Sequence, residues 1–345
     1  MKPRSGQKGV GAMTLKEIAE QTGYSIATVS RVLNGTGNYN ETSKTYQEIT
    51  EFARKNGYSR NQKASRLVAH VVPDIGNPIT VAIAKTIQEI CDQEGLTLLI
   101  INTNESPEQE ARALQQLAKL ELYGVVYSPV SEVNSVDFVS YRTGRHSERV
   151  PVVLIGRELS FATYDSVYIN NVAGAFGATR YLLQKGYRDI AVIAGPTNTK
   201  PGRERMEGFT KAFSYFNLKP PGDRILYGDF TMESGYRQTK ALLRSGSLPQ
   251  AIFPMNNLMT RGCYKALMEA NIPIGFNGPN EIAMVSFDGD EILDAMCVHI
   301  PYVQRPVEEL GRIAMDLLIA RAQSERSNAP IQRIELNPIL YVPKK

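Results

Sequence analysis

Leu15, Ile18, Ala19 and Thr22 fall at i, i+3, i+4 and i+7 and predict a first helix over 14–22. Thr14 and Glu17 have capping-box spacing, in which hydroxyl and carboxylate satisfy the first orphan amides reciprocally. Gly23 supplies a sharp turn, and Ser25 is placed to cap a second helix over 26–33 with Ile26, Val29 and Leu33 as its buried stripe. Ala27, Thr28, Ser30, Arg31 and Asn34 form the outward face, which is small, polar and basic. A loop rich in Gly and Asn follows over 34–40. It leads to a third helix near 42–56, with Tyr46, Ile49, Phe52 and Ala53 inward and Gly57 as its stop.

From Val68 the period changes. Apolar strands over 68–72, 96–101, 124–127 and 152–155 alternate with amphipathic helices over 79–94 and 107–120. After about residue 165 the alternation resumes. Helices are predicted over 173–185, 203–216, 233–243 and 258–270, and strands over 190–194, 225–227, 251–253 and 282–286. A long helix over 306–324 and strands over 331–342, broken by Pro338, close the chain. This is parallel α/β in two layers, hence two lobes, and open parallel sheets bind ligands at the carboxyl ends of their strands.

Charge sharpens the picture of the front segment. Residues 1–70 carry 11 Lys and Arg against 5 Asp and Glu, whereas the remainder carries 28 against 30. A basic head on a near-neutral body points to a polyanion partner, and two short helices across a glycine turn match the helix-turn-helix, whose second helix enters the major groove. A plain three-helix bundle without a nucleic-acid role is the competing reading; capping, turn, outward face and charge weigh against it.

The 345 residues, 42% hydrophobic and 21% charged, fit a folded protein of about two domains with an appendage. No apolar run reaches 18 residues and the basic start has no apolar core, so a cytoplasmic protein without a membrane partner is expected. Cys91, Cys263 and Cys297 are read as buried free thiols, and His70, His146 and His299 as surface or satisfied histidines; no metal or cofactor is expected. No G-x-G-x-x-G after a strand, G-x-x-x-x-G-K-[ST], H-E-x-x-H or G-x-S-x-G occurs, and no nucleophile–base pair can be nominated, so an enzyme is not expected.

Residues 14–35, TLKEIAEQTGYSIATVSRVLNG, resemble the signature helix-turn-helix of the LacI/GalR family of bacterial transcription regulators. VPDIGNP over 72–78, GVV over 124–126, PVVLI over 151–155, GP at 195–196 with RMEGF over 205–209, GDF over 228–230 and SFDG over 286–289 extend the resemblance in the family's order. It implies a homodimer on a pseudo-palindromic operator and a sugar or sugar-phosphate effector between the lobes of a body similar to periplasmic sugar-binding proteins. The protein is then an effector-controlled regulator, most simply a repressor of a sugar-utilisation operon, associated with the nucleoid. The alternative is a sugar-binding protein with impaired operator binding. The expected organisation is a flexible basic start over 1–13, a DNA-binding head over 14–58, a short linker over 59–68 and an effector and dimerisation body over 69–342. Its first lobe takes about 69–163 and 304–326, its second about 164–303 and 327–342.

On the second helix, Ile26 and Ala27 are placed to touch base edges or a thymine methyl, and Arg31, a turn on, to pair bidentately with guanine. Ser25, Thr28, Ser30 and Asn34 suit phosphates, with Thr14 and Tyr24 completing the DNA-facing set. Leu67 matches a family leucine that wedges into the minor groove from a hinge helix. The resemblance departs at Arg60 and Tyr46, which replace a family Pro and Arg, and in a linker several residues short. Either 61–67 forms a hinge helix with almost no tether, or 66–72 is all first strand and Leu67 does not wedge. For the effector the resemblance implies hydrogen bonds from Asp74, Arg157, Arg205, Asn256, Asp288 and Gln304 and an apolar platform from Phe230. Gly156 and Ile79 stand where relatives carry an aspartate and an aromatic residue.

Overall fold

The computed structural model describes residues 13–34, 43–56, 66–130, 150–159, 164–276, 278, 280–323 and 329–343. The head is α1 (Leu15–Thr22), α2 (Ile26–Asn34) and α3 (Lys44–Lys55). Both halves of the Thr14–Glu17 capping box are made, and Gly23 ends α1 in the left-handed conformation with φ 74°, which glycine adopts without strain. Ile18, Ala19, Val29, Val32, Ile49 and Ala53 are the buried core, with Tyr46 and Phe52 packed against it. Ile26, expected in the stripe, is instead half exposed: 50% of its surface is open, and Val32 takes the inward position. The spacing of Val29 and Val32 turns the helix so that Ile26 lies outside the contact with α1 and α3.

The body begins with β1 (Leu67–Val72), α4 (Pro78–Glu94), β2 (Thr97–Asn102), α5 (Pro107–Leu117), β3 (Gly124–Tyr127), β4 (Val152–Ile155) and β5 (Asp165–Ile169). The chain then crosses over into α6 (Asn171–Gln184), β6 (Ile190–Ala194), α7 (Lys200–Tyr215), β7 (Ile225–Tyr227), α8 (Met232–Arg244) and β8 (Ala251–Pro254). It continues through α9 (Asn257–Glu269), β9 (Ala283–Met284), β10 (Ser286–Phe287), α10 (Glu291–Ala295) and β11 (Tyr302–Gln304), and ends with α11 (Val307–Gln323), β12 (Arg333–Leu336) and β13 (Ile339–Tyr341). The first lobe is a six-stranded parallel sheet of order β12-β5-β4-β3-β1-β2; the second holds the parallel sheet β7-β6-β8-β9 and the small sheet β10-β11-β13. Each lobe has its own apolar core: one around β6, β8, α6 and α7, the other on both faces of the six-stranded sheet.

Two expectations are corrected by the sheet topology. Residues 164–169 and the β12 segment, assigned by sequence to the second lobe, complete the first lobe's sheet. Asp165 accepts two hydrogen bonds from the Arg321 guanidinium and one from the Gln332 amide, which fastens β5 to the end of α11 and the start of β12. The segment over 282–286 is two short strands, β9 and β10, in different sheets. Leu67 opens β1 in register with Thr97, and its carbonyl accepts the Tyr123 amide, so this leucine belongs to the first strand while Arg66 precedes it. The hinge over 61–65 lies outside the described residues, as does His146.

Cys91 and Cys263 are buried free thiols, raised to about 11 and about 12 by burial, but Cys297 is exposed. His70 is neither superficial nor fully satisfied. It is 2% exposed, its Nδ1 lies 3.2 Å from the Val126 carbonyl and therefore carries the hydrogen, and its Nε2 has no partner. Burial lowers its pKa to about 4, opposed by the bond to Val126. From about pH 6.5 down to 4 the unfolded chain therefore binds a proton that the folded chain refuses, so stability rises with pH across that window. Acidification through it is expected to remove about 3 kcal/mol from the body. Denaturant titrations at pH 7 and pH 4.5 on the protein and on His70→Leu check this; an undiminished acid loss in the variant would exclude His70 as its source.

Candidate functional site

α2 presents Ile26, Ala27 and Arg31 to solvent in one band, while Val29 and Val32 anchor the opposite side. Its start is fixed by Ser25, whose Oγ accepts the Thr28 amide at 3.0 Å and lies 2.8 Å from the Thr28 hydroxyl. The Tyr24 hydroxyl donates to Glu48 at 2.6 Å, clamping the turn to α3. Thr14 is exposed but bonded to Glu17 in the capping box, and Ser30 is half-buried. The Asn34 side chain lies outside the described residues. What remains outward is a small, basic, partly apolar helix face with its amino-terminal end free, the shape that a major groove admits.

The second site is the cleft between the lobes, about 880 Å³ including its open mouth, within the range of small-molecule sites. It lies at the carboxyl ends of the strands, as parallel sheets dictate. β1 leads to Asp74, β4 to Gly156 and Arg157, β7 to Asp229 and Phe230, β8 to Asn256 and β10 to Asp288, while α7 contributes Arg205 from its first turns. Six of the seven residues carried over from the family resemblance thus line one cavity.

Gln304 does not. It is exposed at the end of β11, paired with Ile339, and the next residue, Arg305, turns inward as the chain crosses to α11. Arg305 grips both oxygens of Asp288, whose carboxylate is 1% exposed. Asp288 and Phe230 both hold the left-handed backbone conformation, φ 76° and φ 69°, which residues with a Cβ adopt only when their surroundings impose it. The amide of Asn256 does part of that work by donating to the Phe230 carbonyl at 2.8 Å, while its Oδ1 caps α9 through Met259. Gly195 makes room for the ring: a Cβ there would stand 2.1 Å from Phe230.

Arg205 is 4% exposed. Its Nε donates to Asn171 at 3.0 Å and its Nη1 to the Met255 carbonyl, and its guanidinium lies 3.7 Å from the Phe287 ring centroid and 5.7 Å from that of Phe230. Burial lowers its pKa to about 9, with nearby Asp288 acting in the opposite sense. Arg157 is bound by both oxygens of Glu105 and by the carbonyls of Pro129 and Val130. Asp74 accepts the Gly76 amide through Oδ1. Across the cleft, Asn257 donates to Asn77 at 3.4 Å. Sequence reasoning missed Glu105, Asp229, His70 and Arg305. His70 carried a signal, as the lone polar residue in an apolar strand; the inward turn of Arg305 did not, because it follows from where β11 ends.

The arrangement offers donors, acceptors and an aromatic face in one cleft, which suits a polyhydroxylated small molecule. Among the described residues no cluster of three His, Cys, Asp or Glu side chains could hold a metal ion, and no helix is long and apolar enough to cross a membrane.

Residues 65–337 match the family described as periplasmic binding proteins and sugar binding domain of LacI family, and residues 14–61 match the bacterial regulatory proteins of the lacI family. The chain is 29% identical over 342 residues to the ribose operon repressor of Escherichia coli (strain K12), covering 95% of this chain and 98% of that one. It is 28% identical over 305 residues to the HTH-type transcriptional regulator DegA of Bacillus subtilis (strain 168), covering 86% and 88%. Among solved structures, the transcriptional regulator CelR–cellobiose complex is similar over 96% of this chain and 98% of that one, with a TM-score of 0.70 and 26% identity.

Proposed function

The chain belongs to the LacI family of bacterial regulatory proteins, and from that premise we propose that it is a homodimeric repressor whose hold on operator DNA is set by a sugar-like effector in the cleft between its lobes. The observation that carries this reading is the coexistence in one chain of an outward, basic recognition-helix face and a cleft walled by Asp74, Arg205, Phe230 and Asp288. α2 lies in the major groove, Arg31 reads a guanine edge, and Ile26 and Ala27 lie against bases; two heads address two half-sites. Thr14, Tyr24, Ser25, Thr28, Ser30 and Asn34 then serve phosphates or hold the helix at its register. Arg157 and Asn256 hold the cleft's walls in shape. Effector binding changes the relation of the lobes and so the spacing of the heads, a coupling that requires the effector to prefer one arrangement. The regulated genes are those of sugar use, in keeping with the ribose operon repressor to which the chain is similar.

Nuclease footprinting on the promoter region of the protein's own gene tests the reading. Protection is expected over two symmetry-related half-sites spaced by a helical turn or a multiple of it. Protection that follows protein concentration uniformly along the DNA, without a dyad, would overturn it.

A further inference from the structure

On the first lobe's side the cavity is lined by Val72 of β1, Ile83 of α4 and Ile155 of β4, all buried, and by His70 of β1. Three of these four side chains are hydrocarbon; the fourth is an imidazole that is 2% exposed. Its two nitrogens are not equivalent. Nδ1 lies 3.2 Å from the carbonyl of Val126, its partner in the β1–β3 register, so Nδ1 carries the hydrogen and Nε2 is left with a lone pair. Burial opposes protonation and lowers the pKa to about 4, so at neutral pH the ring is uncharged and Nε2 only accepts.

Among the described residues three buried side-chain atoms have no hydrogen-bond partner: His70 Nε2, Glu110 Oε2 and Asn257 Oδ1. Of these three residues only His70 lines the cavity. A buried acceptor left unpaired costs stability, and a leucine or valine would fill this strand position without that cost. The wall is also unobstructed at Gly156, which follows Ile155: a Cβ built there would meet nothing within 4 Å. A lone-pair acceptor reads the group placed opposite it. A hydroxyl can donate to it, whereas an ether oxygen or an ionised oxygen would confront it with a second lone pair.

Resting on the reading of the cleft as a site for a polyhydroxylated effector, we propose that His70 is a specificity-determining residue. Its Nε2 accepts a hydrogen bond from one hydroxyl of the effector among Val72, Ile83 and Ile155, and so rejects molecules that carry no hydroxyl at that position. The contact is uncharged and directional, which suits selection more than raw affinity. An effector lacking the hydroxyl leaves the nitrogen buried and unpaired, and a site built around one hydrogen bond discriminates through that penalty.

Calorimetric titration of the full-length protein with ribose, glucose, galactose, mannose, fructose and cellobiose, followed by monodeoxy analogues of the tightest binder, tests the proposal. One analogue is expected to bind about 10-fold more weakly than its parent, as the loss of one buried hydrogen bond requires. In His70→Leu the parent should weaken by about the same factor, and the parent-to-analogue ratio at that one position should fall to near one. A second readout needs no variant of His70. The chain has three histidines, so solid-state nitrogen-15 NMR of histidine-labelled protein can be assigned by elimination with His146→Gln and His299→Gln. The unprotonated Nε2 resonance of His70 should move upfield when the tightest-binding sugar saturates the protein. A saturating sugar that leaves this resonance in place, or parent-to-analogue ratios that His70→Leu changes at no position, would overturn the proposal while leaving the effector site standing. Binding of no sugar in the panel would overturn the polyol reading and the proposal with it.

Discussion

Arg205→Met should uncouple the protein from its effector while leaving its hold on DNA intact. The arginine enters the cleft from the first turns of α7, is almost wholly buried, and is aimed by Asn171, the Met255 carbonyl and the face of Phe287. Methionine occupies a similar apolar volume against the two rings but offers no donor to an effector oxygen. Losing a charged donor that is almost wholly buried costs about 3 kcal/mol, so effector affinity should fall by roughly 100-fold or more. The head is built from 14–55 alone and contains no part of this cavity, so operator affinity without effector should stay near that of the unaltered protein. Effector titrations monitored by operator-DNA anisotropy check it; a variant responding at the unaltered midpoint would place the effector elsewhere.

Arg31→Ala should act on the other site and leave the first alone. Arg31 is exposed one turn after Ala27 on α2, on the side away from Val29 and Val32, so its truncation removes nothing from the head's core. A bidentate arginine–guanine contact is worth about 1–3 kcal/mol of discrimination, and its loss should relax preference at one base pair in each half-site. The proposed dimer meets two such positions, so the effect on the intact operator is felt twice. Competition binding against operators altered at single positions reads this out. Equal weakening on operator and random DNA would show that Arg31 meets phosphate rather than a base.

The head was legible because its signals are local. The Thr14–Glu17 capping box, the Gly23 turn and the helical spacing of Leu15 and Ile18, Val29 and Leu33, and Ile49 and Ala53 are each set within a few residues, and the structure realises each. Ile26 escaped, since which edge of an amphipathic helix is covered depends on the crossing of α1 and α3. The alternation of strands and helices in the body was equally visible, because β6 and β8 are runs of buried apolar residues and their helices carry one apolar stripe. The lobe boundary was not. Asp165 and Ser166 at the head of β5 are polar yet buried, and their place in the first sheet depends on Arg321, distant in sequence. The cleft residues were read through a resemblance, and six of the seven line one cavity; at the last member Gln304 ends a strand facing outward and Arg305 turns in. That single step alters the electrostatics, since an arginine rather than an amide now sits on Asp288.

One chain joins operator recognition to effector binding. The most direct test of this is the affinity of the full-length protein for a palindrome from its own promoter against random DNA of equal length, across a salt series, with and without a panel of sugars and sugar phosphates. The account predicts a specificity ratio of about 10³ or more, affinities that fall steeply with salt, and a ratio that one effector shifts. A ratio near one at every salt concentration, with a sugar still bound in the cleft, would contradict it and leave a binding protein whose head recognises no operator.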